Sequence, residues 1–275
     1  MINQDSSGNL FGKWEIAKNT WCITNRWSNF MYLLIGEEKA LLIDSGTGEG
    51  NIRKFVEQIT DKPIMVVNTH GHFDHTGGNF WWEEVWMHRE SEECARNAFN
   101  DWGEDWLKDK DYPNYKINYL KEGDVIELGN RKVKVLHIPA HNEGSIAFID
   151  DFTRGLFCGD ELESGQVLLF VRNENIPLKE VAANHRANME RLKSMRQEYD
   201  MIWPSHNGLP LLPDRYLEDF ITLDSQIIEG TAKVCENTGG FGWGTGEEKN
   251  EFFERFGELE RVNYGVASVV YQKEI

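Results

Sequence analysis

Apolar residues in this chain fall into short runs separated by Gly, Pro, Asn and Asp, with few long amphipathic stripes. Short runs bounded by turn residues read as strands, and longer stretches with a 3.6-residue period read as helices. Strands are expected at residues 14–17, 21–24, 30–35 and 40–43, and again in an apolar run that ends at Asn68. A helix is expected between them, over 51–59. A second set of strands is expected at 132–138, 146–149, 156–158 and 201–203, and the tail at 266–272 reads as a last strand. A helix over 178–196 opens after Pro177, a residue favoured in a first turn, and another spans 214–234. Strand clusters interrupted by helices predict layers of sheet covered by helix, in two similar halves. No repeat or low-complexity linker divides the chain, so its 275 residues are expected to form a single domain over 1–275.

Composition narrows the class. The net charge is −17, from 29 basic and 46 acidic residues. Such a chain repels polyphosphate backbones, and no basic stretch interleaved with aromatics offsets this, so no nucleic-acid partner is expected. No apolar run approaches the ~18 residues of a membrane span, and the polar N-terminus lacks a signal-peptide pattern. Cys22, Cys94, Cys158 and Cys235 are far apart, which predicts free thiols and a reducing, cytoplasmic setting. Cys158 is expected to fill a strand core. The sequence leaves the oligomeric state open.

The chemistry is concentrated in Thr69-His70-Gly71-His72-Phe73-Asp74-His75, which begins where a strand-like run ends. Imidazole and carboxylate are ligands for zinc and similar divalent ions. In an extended segment alternate side chains share a side, so His70, His72 and Asp74 are expected to converge while His75 turns toward a neighbouring site. Three further candidates, His141, Asp160 and His206, each follow a short apolar run in a Gly- or Pro-bearing turn. A sheet presents residues along one edge at such places.

These blocks, together with 28–34 and Leu41-Leu42-Ile43-Asp44-Ser45-Gly46, resemble the metallo-β-lactamase superfamily in order from about residue 29 to 211. The resemblance implies an α/β fold, the αβ/βα four-layer sandwich of the metallo-β-lactamase type, with a metal site at one edge. It implies two divalent metal ions, zinc first, with iron or manganese as alternatives. His70, His72 and His141 would hold one ion and Asp74, His75 and His206 the other, with Asp160 bridging. Asp74 would also orient the attacking water, and Asp44 would orient a metal-bound imidazole from behind. An Asp at the bridging position resembles glyoxalase II and lactonase-type hydrolases more than the β-lactamases proper. His72, where a flavin-linked diiron branch carries Glu, points away from that branch.

The expected activity is metal-dependent hydrolysis of a thioester, ester or lactone of a small molecule. The alternatives are a mononuclear iron persulfide dioxygenase using His70, His141 and Asp160, a small-molecule phosphodiesterase, and a β-lactamase-like amide hydrolase. A non-catalytic binding protein would show missing ligands, and none is missing. The aromatic-rich stretch 97–119 reads as a lid or insertion, or as a helical excursion with a buried aromatic stripe. Arg26 and Trp27 are candidate substrate contacts, Arg26 for an anion. His88, His137 and His185 read as structural.

Overall fold

Period-two alternation sets the first sheet. Phe11–Ala17 (β1), Thr20–Asn25 (β2), Phe30–Ile35 (β3) and Ala40–Ile43 (β4) form an antiparallel meander. Ile64–Val67 (β5), Glu84–His88 (β6) and Lys116–Leu120 (β7) extend it in parallel, giving seven strands in sequence order. In this computed structural model the described residues are 10–26, 29–101, 114–169, 176–235 and 259–272. The second sheet has the order β13-β11-β10-β9-β8, built from Val125–Glu127 (β8), Lys132–His137 (β9), Ile146–Asp150 (β10), Gly155–Gly159 (β11) and Met201–Pro204 (β13). A small third sheet joins Val167–Leu168 (β12), Leu259–Tyr264 (β14) and Ala267–Gln272 (β15).

Side chains on opposite faces of each strand enter different cores. On β3, Tyr32 and Leu34 point into the space between the two large sheets, where they meet Val135, Phe148 and Phe157. Met31 and Leu33 point the other way, against Ile52, Phe55 and Val56 of Ile52–Val56 (α1) and Ala95 of Glu92–Asp101 (α3). The outer face of the second sheet, through Leu136, Ala147, Leu156, Cys158 and Ile202, packs on Leu178–Ser194 (α4) and Pro213–Glu229 (α5). The order of layers is therefore helix, sheet, sheet, helix, as expected. Both faces of the central strands are buried, which is why they read as near-continuous apolar runs.

Several boundaries depart from expectation. The last long helix stops at Glu229 rather than 234, because Gly230 takes a left-handed cap conformation at φ 71°. Strands β6, β7, β8, β12 and β14 were not expected. The first of these lies in the Trp-rich stretch, where composition hides the alternation. Within 97–119, residues 102–113 lie outside the described ones. At its ends, 97–101 close α3, Tyr115 packs against the outer core of the first sheet, and Tyr119 lies exposed on β7. The four cysteines are free, with Cys158 in the core. Among the described residues no helix is long and apolar enough to cross a membrane.

Candidate metal centre

Strand ends from both large sheets meet at one edge. β4 delivers Asp44, β5 delivers 68–76, β9 leads to His141, β11 to Asp160 and β13 to His206. Backbone hydrogen bonds tie the sheets together here, from Phe30 N–H to Ser205 O at 2.8 Å and from Ile146 N–H to Thr69 O at 2.8 Å. The Tyr32 hydroxyl also donates to Pro204 O.

Extended backbone continues only to His72, which caps the short helix Phe73–Thr76 (α2) with ψ 153°. The chain then turns, so the expected alternation through Asp74 fails. His70 and His72 face one way with His141, whereas Asp74 and His75 sit on the helical turn with His206. Two glycines allow that turn to seat deeply. A Cβ on Gly77 would lie 2.3 Å from Thr47 C, and one on Gly78 would lie 2.4 Å from Ser45 O. Buried Asn68 donates to His75 O at 2.8 Å and pairs with Asn79, holding the turn from below.

The first group brings His72 Nδ1 to 2.9 Å from His70 Nε2 and 3.0 Å from His141 Nε2. His141 Nδ1 donates to Leu168 O at 2.7 Å, so in the neutral ring Nε2 carries a bare lone pair. Thr69 Oγ1 gives its hydrogen to Asp44 and accepts from His70 Nδ1, which leaves His70 Nε2 bare as well. Two lone pairs thus face a third nitrogen that has at most one hydrogen to share. A cation satisfies this arrangement, and the spacing is near the ~3.3 Å edge of a tetrahedron with 2.0–2.1 Å bonds.

In the second group His206 Nε2 lies 3.2 Å and His75 Nε2 3.6 Å from Asp74 Oδ2. Asp160 sits between the groups. Its Oδ1 is 3.3 Å from His75 Nε2, and its Oδ2 is 3.4 Å from His206 Nε2, 3.6 Å from His141 Nε2 and 3.9 Å from His70 Nε2. His75 Nε2 and Asp160 Oδ1 are buried without a hydrogen-bond partner, again an arrangement that a cation completes.

The electrostatics divide the site. Burial first, then neighbouring imidazoles, hold His70 and His72 below the ordinary histidine range, His72 at about 3. Those rings are neutral, the state in which imidazole donates a lone pair. At His75 and His206 burial also lowers the pKa, but Asp160 and then Asp74 outweigh it and raise both. Burial pushes the Asp74 and Asp160 carboxyls up, but His75 and His206 prevail and hold them below the usual range.

The supporting residues are mostly ones the sequence did not mark. Asp44 accepts from Thr69 N–H at 2.8 Å, Thr69 Oγ1 at 2.9 Å, His75 Nδ1 at 2.9 Å and Ser205 Oγ at 3.3 Å. Its carboxylate thus lies beside the His75 ring, on the Nδ1 side. Asn29 donates to Asp74 Oδ2 at 2.9 Å. Glu161 Oε1 accepts from Ala140 N–H at 3.0 Å and His141 N–H at 2.9 Å, holding that loop in place. His185, on α4, donates to Asp224 Oδ2 at 2.8 Å and to Glu161 O at 2.8 Å. Glu163 accepts from Asn207, and burial, then Asp160, push its carboxyl up to about 8. Arg26 lies in the turn after β2 with Nε 2.5 Å from Glu49, and Trp27 lies outside the described residues.

A four-layer sandwich with a His/Asp cluster where its two sheets meet defines a class of metal-dependent proteins. The metallo-β-lactamase superfamily model matches residues 24–206, more than half of the chain, and the chain belongs to that family. It is 29% identical over 171 residues to an acyl-coenzyme A thioesterase, MBLAC2, of Gallus gallus, covering 53% of this chain and 62% of that protein. It is 28% identical over 144 residues to a hydroxyacylglutathione hydrolase of Crocosphaera subtropica, covering 50% of this chain and 51% of that one. The chain thus spans between half and about six tenths of the length of these curated relatives. Among solved structures, a metallo-β-lactamase from Pontibacter korlensis superposes with TM-score 0.59 at 16% identity, covering 78% of this chain and 99% of that one, a likeness of fold alone. TTHA1623 in a di-iron-bound form superposes with TM-score 0.53 at 28% identity, covering 67% of this chain and 90% of that one. Its buried His/Asp groups are suited to divalent metal.

Proposed function

We propose that this enzyme hydrolyses a small-molecule thioester at a binuclear metal centre. The observation that carries this reading is Asp160, a carboxylate lying within 4 Å of ligand atoms from both His/Asp groups. His70, His72 and His141 would hold one ion and Asp74, His75 and His206 the other, with Asp160 shared. Zinc suits this nitrogen and oxygen donor set, and iron or manganese are the alternatives. Bound divalent ions supply Lewis acidity, polarising a carbonyl and making water acidic enough to attack near neutral pH.

The protein's own part is orientation. Asp44 fixes the His75 tautomer, so that Nε2 faces the centre. Asn29 fixes Asp74, the residue assigned to orient the attacking water and to pass its proton to the departing thiolate. No side-chain nucleophile is required, so the reaction forms no acyl-enzyme. Esters and lactones share the same carbonyl chemistry. The thioester is favoured because one curated relative is named an acyl-coenzyme A thioesterase and the other a hydrolase of a hydroxyacylglutathione, whose acyl group on the glutathione sulfur is itself a thioester. With a net charge of −17 the substrate is taken as a small molecule rather than a nucleic acid. Arg26 and Trp27 are assigned to its binding side, a cytoplasmic setting suits the free thiols, and residues 1–275 are taken as one domain.

The test is an assay of acyl-coenzyme A and acyl-glutathione thioesters under nitrogen and in air, with glutathione persulfide alongside. Expected is oxygen-independent thioester cleavage that a chelator abolishes and zinc, iron or manganese restores. Persulfide turnover with oxygen uptake, and no thioester cleavage, overturns the reading.

A further inference from the structure

Two histidines outside the buried centre stand together with a carboxylate. His88 ends β6 in the first sheet, and His137 ends β9 in the second. Their rings stack with centroids 4.0 Å apart and an interplanar angle of 15°. Glu90 Oε2 lies 3.8 Å from His88 Nδ1 and 3.9 Å from His137 Nε2. One ligand atom from each of the three residues falls within 4.8 Å of the others. With edges of 3.8 and 3.9 Å and a third no longer than 4.8 Å, an ion among the three atoms lies ~2.2–2.5 Å from each, close to zinc–nitrogen and zinc–oxygen bonds, once one of the stacked rings turns to bring its lone pair onto the ion.

We infer that His88, Glu90 and His137 form a separate metal site near the surface, one that takes a single zinc-like divalent ion and clamps the His141 loop to the first sheet. The ligand types are those of borderline divalent ions, two imidazoles and one carboxylate. The lone pair of His88 Nδ1 is turned toward Glu90, whose backbone N–H approaches it at 3.4 Å. His137 Nε2 donates to Glu143 O at 2.9 Å. Binding requires the other tautomer, with the hydrogen on Nδ1. The ion then takes the place of the hydrogen beside Glu143 O, which becomes a fourth ligand atom within reach.

The site is preformed by its backbone. Ser91 Oγ donates to Gly144 O at 3.0 Å, and the two segments press so closely that a Cβ on Gly144 would lie 2.4 Å from Ser91 N. Both pieces of the site are therefore held before any ion arrives, which lowers the ordering cost of binding. Side-chain exposures of 15% at His88, 26% at His137 and 58% at Glu90 leave a path for the ion and room for water ligands. The seven residues of the buried centre, by contrast, are each no more than 8% exposed.

The test is calorimetric titration with zinc of protein whose buried centre is already loaded. Wild type is expected to take up one further zinc per chain, with a rise in Tm. His88→Ala and His137→Ala are expected to take up none. Glu90→Gln, at an exposed position that leaves the fold alone, is expected to bind about tenfold more weakly or worse. Circular dichroism of each variant checks that it is folded. No further uptake by wild type overturns the inference, and so does uptake that all three substitutions leave unchanged.

Discussion

Asp44 holds φ at 63°, a left-handed conformation that costs a non-glycine residue about 1 kcal/mol or more. In that conformation its carboxylate receives four hydrogen bonds, two of them from Thr69 and one from His75. Asp44→Asn places a donor among donors and frees the His75 ring to turn. The expected result is a loss of metal affinity of about 10- to 100-fold with the fold retained, read by competition with a chromophoric chelator. Asp160→Ala removes the one carboxylate between the two groups, and is expected to abolish turnover and lower metal content by elemental analysis. Full occupancy and activity in that variant would take Asp160 out of the centre. The ligand candidates were legible in the sequence because all seven are His or Asp, either in unusual local density or just after strand ends. Asn29, Glu161 and Asp224 were not, since a buried polar residue that steadies a ligand has the same local sequence as one that closes a turn.

Elements explain which residues act at a distance. Helix α4 buries Val181, Ala182, His185, Asn188, Met189 and Leu192, so His185 lies on its core face among apolar neighbours. A lone histidine on a helix is ambiguous in sequence. Its role came from packing, since α5 supplies Asp224 and the turn after β11 supplies Glu161 O. Burial lowers its pKa, but Asp224 and then Glu161 outweigh this and raise it to about 9. A folded-state pKa above the unfolded ~6.5 means that the pair's contribution is complete below about pH 6.5. It is lost as pH rises through about 9. The contribution is on the order of 3 kcal/mol, because the group is fully buried. Urea unfolding from pH 6 to 10 should show this decline in wild type, and a flatter profile in His185→Gln. An equal decline in both would remove His185 as its source. The long strands and helices were legible from their periods. Short β8 and β12 were not, because two or three residues carry no period and exist only through their partners across the sheet.

At the scale of the molecule, the two large sheets are joined by a shared apolar core and, at one edge, by the His/Asp cluster. Its members come from both sheets, with His70, His72, Asp74 and His75 after β5 of the first and His141, Asp160 and His206 from the second. An unfolded chain holds no such cluster, so ions that bind here favour the folded state by mass action. At a free metal concentration a thousandfold above Kd this amounts to about 4 kcal/mol per ion. For a chain of this size that corresponds to a rise in Tm on the order of 10 °C. Chelation should therefore lower Tm by about that amount, reversibly on adding zinc back. Asp160→Ala should lower the Tm of the loaded protein by more than that of the stripped protein. In the stripped protein the change removes only the carboxylate paired with His75 and His206, and leaves both sheets and their core intact. Scanning calorimetry of wild type and variant, each loaded and stripped, separates the two contributions. A Tm that is indifferent to chelator in wild type would show that the cluster does not link the sheets through metal.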